Sequence, residues 1–170
     1  MGEGHAAIAT RRIMARGPHS RVVRLAMVSV PRADRQLTYR LIIREIPEAA
    51  KTDKDTKLLQ VALAFSLPVF ITPPSAKRQL DCTAERLAPE AVRVACANGG
   101  AVYVMPRELV LSTASGQRLA SRETANYILP GITRTFDVRR ADGKIPGGAL
   151  KLAVTLDDGS AQTYEVTVPE

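Results

Sequence analysis

The chain has 170 residues, 45% of them hydrophobic and 4% aromatic, with a formal net charge of +7. This length suits one large or two small domains, and no apolar run approaches the ~20 residues of a membrane-spanning helix. Phosphate-loop, nucleophile-elbow and zinc-helix signatures are missing, and His5 and His19 have no paired carboxylate or nucleophile motif near them. The sequence therefore predicts a non-enzymatic chain with no cofactor, no metal and no membrane insertion.

The N-terminal segment is basic and lacks the apolar core and cleavage site of a secretory signal. Residues 1–75 hold twelve Lys/Arg against six Asp/Glu, whereas residues 76–170 hold twelve against eleven. A basic face attracts nucleic acid, anionic membrane or acidic protein, but no interleaved aromatics or known motif support nucleic-acid binding here. A solvated basic edge is the alternative. The arginines concerned are Arg11, Arg12, Arg16, Arg21 and Arg24.

Strands are predicted at residues 20–30, 37–46 and 59–71, with a charged loop over residues 47–57. In the third strand every odd position is large and apolar, namely Leu59, Val61, Leu63, Phe65, Leu67, Val69 and Ile71. A period of two places them on one face of an extended strand, and Pro68 argues against a helix. At ~3.3 Å per residue the face runs for roughly 40 Å, longer than a small domain usually needs. An ordinary core strand and a strand lent to another chain both fit this pattern.

The segment Thr72-Pro73-Pro74-Ser75 marks a boundary, after which the chain reads as short strands punctuated by Gly and Pro turns. Strands are predicted at residues 79–85, 91–97, 102–106, 108–112, 133–138, 149–156 and 162–168. The pair Asp158-Gly159 between two alternating runs predicts a hairpin. This spacing, with almost no helical pattern, predicts an all-β fold built as an immunoglobulin-like sandwich.

Two cysteines, Cys82 and Cys96, flank a predicted turn centred on Pro89. In a hairpin centred there they lie directly opposite each other, where a disulfide becomes possible. A disulfide favours an oxidising compartment, while two unrelated buried thiols are the alternative. A metal site is not expected, because no other Cys and no nearby His completes a ligand set.

Two motifs carry a resemblance to a known family. The run from Tyr39 to Pro47, which ends in Arg-Glu-Ile-Pro, is followed by the alternating run from Leu59 to Leu63. Together they resemble the periplasmic pilus chaperones of the chaperone–usher pathway, the PapD-like family, in their F and G strands. The run from Ser66 to Phe70 and the segment Ala125-Asn126-Tyr127-Ile128-Leu129-Pro130-Gly131, with Phe136 after it, are most similar to the archaic branch associated with spore-coat-U-type subunits. The resemblance extends from about Ile8 to Val168.

This resemblance implies two immunoglobulin-like sandwich domains, residues 1–73 and 74–170, the first incomplete with strands of about D to G. Family members begin with a signal peptide and roughly three more strands, so a chain shortened at its start is expected. The implied location is the periplasm, and the implied partners are a pilus subunit and an outer-membrane usher. The implied function is to stabilise the subunit by donor-strand complementation and to deliver it to the usher. The matching donor positions are Leu59, Val61 and Leu63, and Phe65 extends the series.

The resemblance also bears on how a subunit is anchored. In the best-known family members two basic residues grip the terminal carboxylate of the subunit. One lies on a first strand that this chain is expected to lack, and the other position matches Pro68. Arg40 and Arg44, two strand periods apart on one face, are candidate replacements, although pairing with cross-strand acids or snorkelling at the sheet surface explains them equally well. Arg44 is the arginine of Arg-Glu-Ile-Pro.

Two other functions remain open on the sequence. One is an immunoglobulin-like module that recognises a polyanion or a sugar through its basic edge. The other is an inert remnant of a chaperone gene.

Overall fold

A computed structural model describes residues 8–10, 25–27, 34–46 and 61–170. These ranges contain eleven strands and no helix, which confirms the all-β prediction for them. The chain divides into two compact units, residues 1–34 and 35–170. In the first unit, β1 (Ile8–Thr10) and β2 (Leu25–Met27) pair antiparallel. Leu59, the predicted loop 47–57 and most of the predicted strand 20–30 lie outside the described residues.

The second unit opens with a hairpin of β3 (Leu37–Arg44) and β4 (Ala64–Ile71), which pair antiparallel as a two-stranded sheet. The strand predicted over residues 59–71 is wrong at its start for the described part, because β4 begins only at Ala64, after Val61 and Leu63. The main-chain pairing between the two strands ends at Leu63. The Glu45 N–H donates to the Leu63 carbonyl (2.8 Å), but the Leu63 N–H donates to the Glu45 carboxylate (3.2 Å). A side chain thus replaces the main-chain acceptor and ends the ladder.

Seven further strands form two antiparallel sheets. They are β5 (Leu80–Ala88), β6 (Ala91–Asn98), β7 (Pro106–Thr113), β8 (Arg118–Glu123), β9 (Thr133–Arg139), β10 (Gly148–Leu156) and β11 (Ala161–Val168). One sheet has the order β5-β6-β9 and the other β11-β10-β7-β8. The two sheets enclose one core of buried side chains, with Phe136 the largest of those that are fully buried. This is the predicted immunoglobulin-like sandwich.

The hairpin of β5 and β6 has the predicted register. Cys82 lies directly opposite Cys96, and the two form a disulfide with an S–S distance of 2.03 Å and a Cα–Cα distance of 4.1 Å. The register holds from Leu80 opposite Asn98 until a bulge between Arg86 and Ala88. The disulfide therefore closes a hairpin that the strand pairing already aligns.

Two strand predictions in the sandwich need correction. The predicted strand 102–106 is wrong, since Val104 forms only an isolated bridge with Ile128. Its alternating pattern reflects alternating burial within the loop between β6 and β7, which the Asn98 side-chain amide holds by donating to the carbonyls of Val102 and Ile128 (2.8 Å each). β8 was not predicted, because its buried residues Leu119 and Ala120 are consecutive rather than alternating.

Candidate functional site

One face of the β3–β4 hairpin is apolar and increasingly open towards the start of β4. Residues opposite each other in an antiparallel pair share a face, so Phe65 and Leu67 share theirs with Ile43 and Leu41. Leu63 is 54% exposed, Phe65 53% and Leu67 44%. Val69 and Ile71, nearer the sandwich, are only partly exposed. We call the exposed set Val61, Leu63, Phe65 and Leu67 the apolar ribbon.

The apolar ribbon lies on or just before a strand with an open edge. Among the residues that the structure describes, β4 pairs with β3 alone. An unpaired edge offers free N–H and C=O groups to another strand, and large exposed apolar patches mark interaction sites. The hairpin therefore has both elements that strand addition requires: main-chain groups for pairing and alternating side chains to fill pockets.

The opposite face of the hairpin borders a pocket of about 340 Å³. The hairpin supplies one wall, and the segment before β9 together with the start of β9 supplies the other. The wall formed by the hairpin includes Arg40, Pro68 and Phe70, and the facing wall includes Tyr127, Ile132 and Arg134.

Arg40 and Arg44 lie on the same face of β3, as predicted, but only Arg40 reaches the pocket. Arg40 lies directly opposite Pro68 in the register, lines the pocket and donates to the Ser66 hydroxyl (3.1 Å). Arg44 pairs with Ala64 at the far end of the hairpin and does not line the pocket. Only Arg40 therefore places a charge beside the position that Pro68 occupies.

A second guanidinium, that of Arg134, lines the same pocket and was not singled out from the sequence. Arg134 shares a face of β9 with Phe136, because residues two apart in a strand point the same way. Phe136 is buried in the core, whereas Arg134 is exposed. The core face of β9 thus continues into the pocket wall. The sequence shows only that Arg134 stands two residues before Phe136, and this spacing does not reveal where the core ends and the pocket begins.

An aromatic cluster joins the hairpin to the sandwich beside this pocket. The Phe70 ring stacks on the Tyr103 ring with centroids 4.4 Å apart, and both rings meet Tyr127 edge to face at 5.4 and 5.6 Å. Phe70 is an even position in a run whose large apolar residues are otherwise odd, so it projects from the opposite face. That break in the alternation was the sequence signal for a second contact surface.

Charged groups flank the cluster on its outer side. The Arg78 guanidinium lies 5.7 Å from the Tyr103 ring centroid and pairs with Asp158 (2.7 Å) and Asp157 (3.5 Å). The Tyr103 hydroxyl donates to Asp157 (3.2 Å), and burial, followed by the nearby Asp157 charge, raises the pKa of Tyr103. Hydrogen bonds from Ser160, with a smaller contribution from Arg78, lower the pKa of Asp158. The Tyr103 hydroxyl thus donates to a carboxylate that also pairs with Arg78.

Other types of site are missing from the described ranges. Within them no group of three or more His, Cys, Asp or Glu side chains is arranged to hold a metal ion. No helix in this part of the chain is long and apolar enough to cross a membrane.

One comparison with known proteins, a family model, supports the resemblance drawn from the motifs. Residues 12–77 match the family model described as pili and flagellar-assembly chaperone, PapD N-terminal domain. No curated protein matches the chain. The crystal structure of the E. coli chaperone DraB is similar over 84% of this chain, with 19% sequence identity and a TM-score of 0.44. The chain covers 65% of that DraB chain.

Over residues 12–77 the match confirms the PapD-like resemblance. The archaic branch stays a prediction.

Proposed function

We propose, from the premise that residues 12–77 carry a PapD-type N-terminal domain of assembly chaperones, that this chain is a periplasmic chaperone for pilus subunits. It binds a subunit by donor-strand complementation and delivers it to an outer-membrane usher. The observation that carries the proposal is the apolar ribbon, which is exposed on and just before a strand whose outer edge has no partner among the described residues.

The physical mechanism is the completion of an unfinished sandwich. A subunit that lacks its last strand exposes a groove of unpaired backbone groups and uncovered core. Chaperone–pilin complexes are a known example of strand addition, in which main-chain hydrogen bonds give affinity and alternate side chains give specificity. We assign the donor role to Val61, Leu63 and Phe65 with Leu59, as the resemblance implies, and Leu67 extends the ribbon by one more exposed position.

The pocket on the opposite face of the hairpin is our candidate for the anchor. Arg40 lies beside Pro68 at the position where the family carries a basic residue, and Arg134 brings a second guanidinium to the same pocket. Guanidinium groups bind carboxylates by charge-assisted and often bidentate hydrogen bonds. We therefore propose that Arg40 and Arg134, rather than Arg40 and Arg44, hold the terminal carboxylate of the subunit.

The disulfide agrees with a periplasmic location, because such bonds persist in oxidising compartments. Cys82 and Cys96 are bonded in the sandwich. The proposal for location rests on this bond together with the family.

A refolding assay tests the function. The full chain is present while a recombinant spore-coat-U-type pilus subunit is diluted from denaturant, and complexes are isolated by size exclusion. We expect a stable complex of one chain with one subunit that persists at raised salt, because apolar contacts and backbone pairing are weakly screened. Salt should reduce only the contribution of the arginine–carboxylate contact. Binding to heparin that salt abolishes, without any complex between the chain and the subunit, would instead support the polyanion-binding alternative.

A further inference from the structure

Gln36, the residue immediately before β3, makes more contacts than its place in a connecting segment suggests. It is one of two buried polar residues in the described part of the chain, with 5% of its surface exposed. Its N–H donates to the carbonyl of Ala101 (2.8 Å), and its side-chain oxygen accepts the N–H of Tyr103 (2.9 Å). Its side-chain amide nitrogen donates to the Thr72 hydroxyl (2.7 Å).

The two bonds to residues 101 and 103 have the pattern of a bridge between parallel strands. In such a bridge one residue donates to the residue before its partner and accepts from the residue after it. Gln36 donates from its main chain but accepts through its side chain, so its amide oxygen takes the place of the main-chain carbonyl. The start of β3 is thereby attached to the loop that leads into β7.

The bond to Thr72 attaches the other strand of the hairpin to the same point. Leu37 pairs with Ile71, so Gln36 and Thr72 occupy the next position of the same ladder. The Phe70 ring, two residues earlier, stacks on the Tyr103 ring at 4.4 Å. The start of β3 and the end of β4 thus both contact the loop containing residues 101–103 of the sandwich, and Gln36 bonds to both the loop and Thr72.

We infer that Gln36 is a positioning residue, which fixes the orientation of the β3–β4 hairpin on the sandwich through Thr72 and Tyr103. The pocket needs this orientation, since Arg40 is on the hairpin and Arg134 is on the sandwich. The orientation itself follows from the contacts above. Its consequence for binding a subunit rests on the proposed function.

Residual dipolar couplings of the full chain in solution test the orientation directly. In the unmodified chain the amides of β3 and β4 and those of β6 and β7 should fit a single alignment tensor. In Gln36→Met, which keeps the length of the side chain but loses its hydrogen bonds, the hairpin couplings should shrink and require a separate tensor. The Tyr103 amide should also exchange about fivefold faster, as expected on loss of one hydrogen bond.

A matched pair at position 72 keeps the test decisive if Gln36→Met does not fold. Thr72→Ser retains the hydroxyl that accepts from Gln36, and we expect it to behave like the unmodified chain. Thr72→Val is close in shape but has no hydroxyl, and its hairpin couplings should shrink as well. A single shared tensor in Thr72→Val, or equal loss in both variants, would overturn the positioning role.

The ability of the same variants to bind a pilus subunit separates this inference from the proposed function. A weaker complex with Thr72→Val but not with Thr72→Ser would support the consequence for binding. Equal binding by both variants, with the orientation lost in one, would overturn that consequence alone. If the unmodified chain binds no subunit, the proposed function fails, while the dipolar couplings still decide whether Gln36 positions the hairpin.

Discussion

Truncating the apolar ribbon at Leu63 should weaken binding of a subunit by an amount that follows from its exposure. Burying a leucine side chain completely is worth about 1.5–3 kcal/mol. Since Leu63 is 54% exposed in the free chain, about half of that, roughly 1 kcal/mol, is still available when it is covered by a subunit. Leu63→Ala should therefore weaken binding by about fivefold. Leu63→Asp places a carboxylate in an apolar groove at a cost of several kcal/mol, so its complex should be undetectable.

The chain offers a matched control in Ile42, which is also 54% exposed. Ile42 pairs with Ser66, so it lies on the hairpin face opposite the ribbon. Ile42→Ala should leave binding to a spore-coat-U-type subunit within about twofold of the unmodified chain, since surface substitutions rarely exceed ~0.5 kcal/mol. Affinities are measured by titration of the refolded subunit, with hydrogen exchange of β6 and β10 as the check on folding. Equal losses at Leu63 and Ile42 would refute the assignment of the donor face.

Three further outcomes are expected. Arg40→Gln should weaken binding of the subunit by roughly tenfold, as for the loss of a hydrogen bond between charged groups. If the terminal carboxylate of the subunit is amidated, the variant and the unmodified chain should bind it with equal affinity. A loss of affinity that persists after amidation would contradict a carboxylate anchor. Replacing Cys82 and Cys96 together by alanine should lower the unfolding free energy in urea by about 3 kcal/mol, and an unchanged urea midpoint would oppose this. The hydrogen bond from Arg93 lowers the pKa of Asp137 below its ordinary value of 3.8, so the stabilisation is present above that pH and is lost as pH falls through the folded pKa. Asp137→Asn should therefore flatten the dependence of urea stability on pH below about 4, and an unaltered slope would show that the pair contributes nothing.

Much of the fold follows from local patterns. A hairpin predicted to be centred on Pro89 places Cys82 opposite Cys96, and the structure has this pairing and the disulfide. The turn itself is Pro89-Glu90, and the bulge between Arg86 and Ala88 gives the strands the predicted register. Alternation likewise identified β4 and its apolar face. It failed over residues 102–106, because the loop that the Asn98 side chain holds shows the same alternating burial as a strand. An alternating pattern shows which side chains are buried, but it does not show whether the backbone pairs with another strand.

The pocket and its supports could be predicted only in part. Arg40 was a candidate because it shares a strand face with Arg44, but the choice between them depends on which residue lies across from Pro68. Arg134 and Gln36 act together with residues far away in sequence, as Gln36 does with Tyr103. No local pattern encodes such a pairing, because it arises where two separately folded elements meet.

Hydrogen exchange of the full chain with and without a bound spore-coat-U-type subunit tests the central claim most directly. If β4 is added as a strand to the subunit, the β4 amides that do not donate to β3 should become protected. The hydrogen-exchange rates of the amides in β5 to β11 should not change. Protection confined to the sandwich or to the basic N-terminal segment, with the β4 amides unchanged, would contradict strand donation.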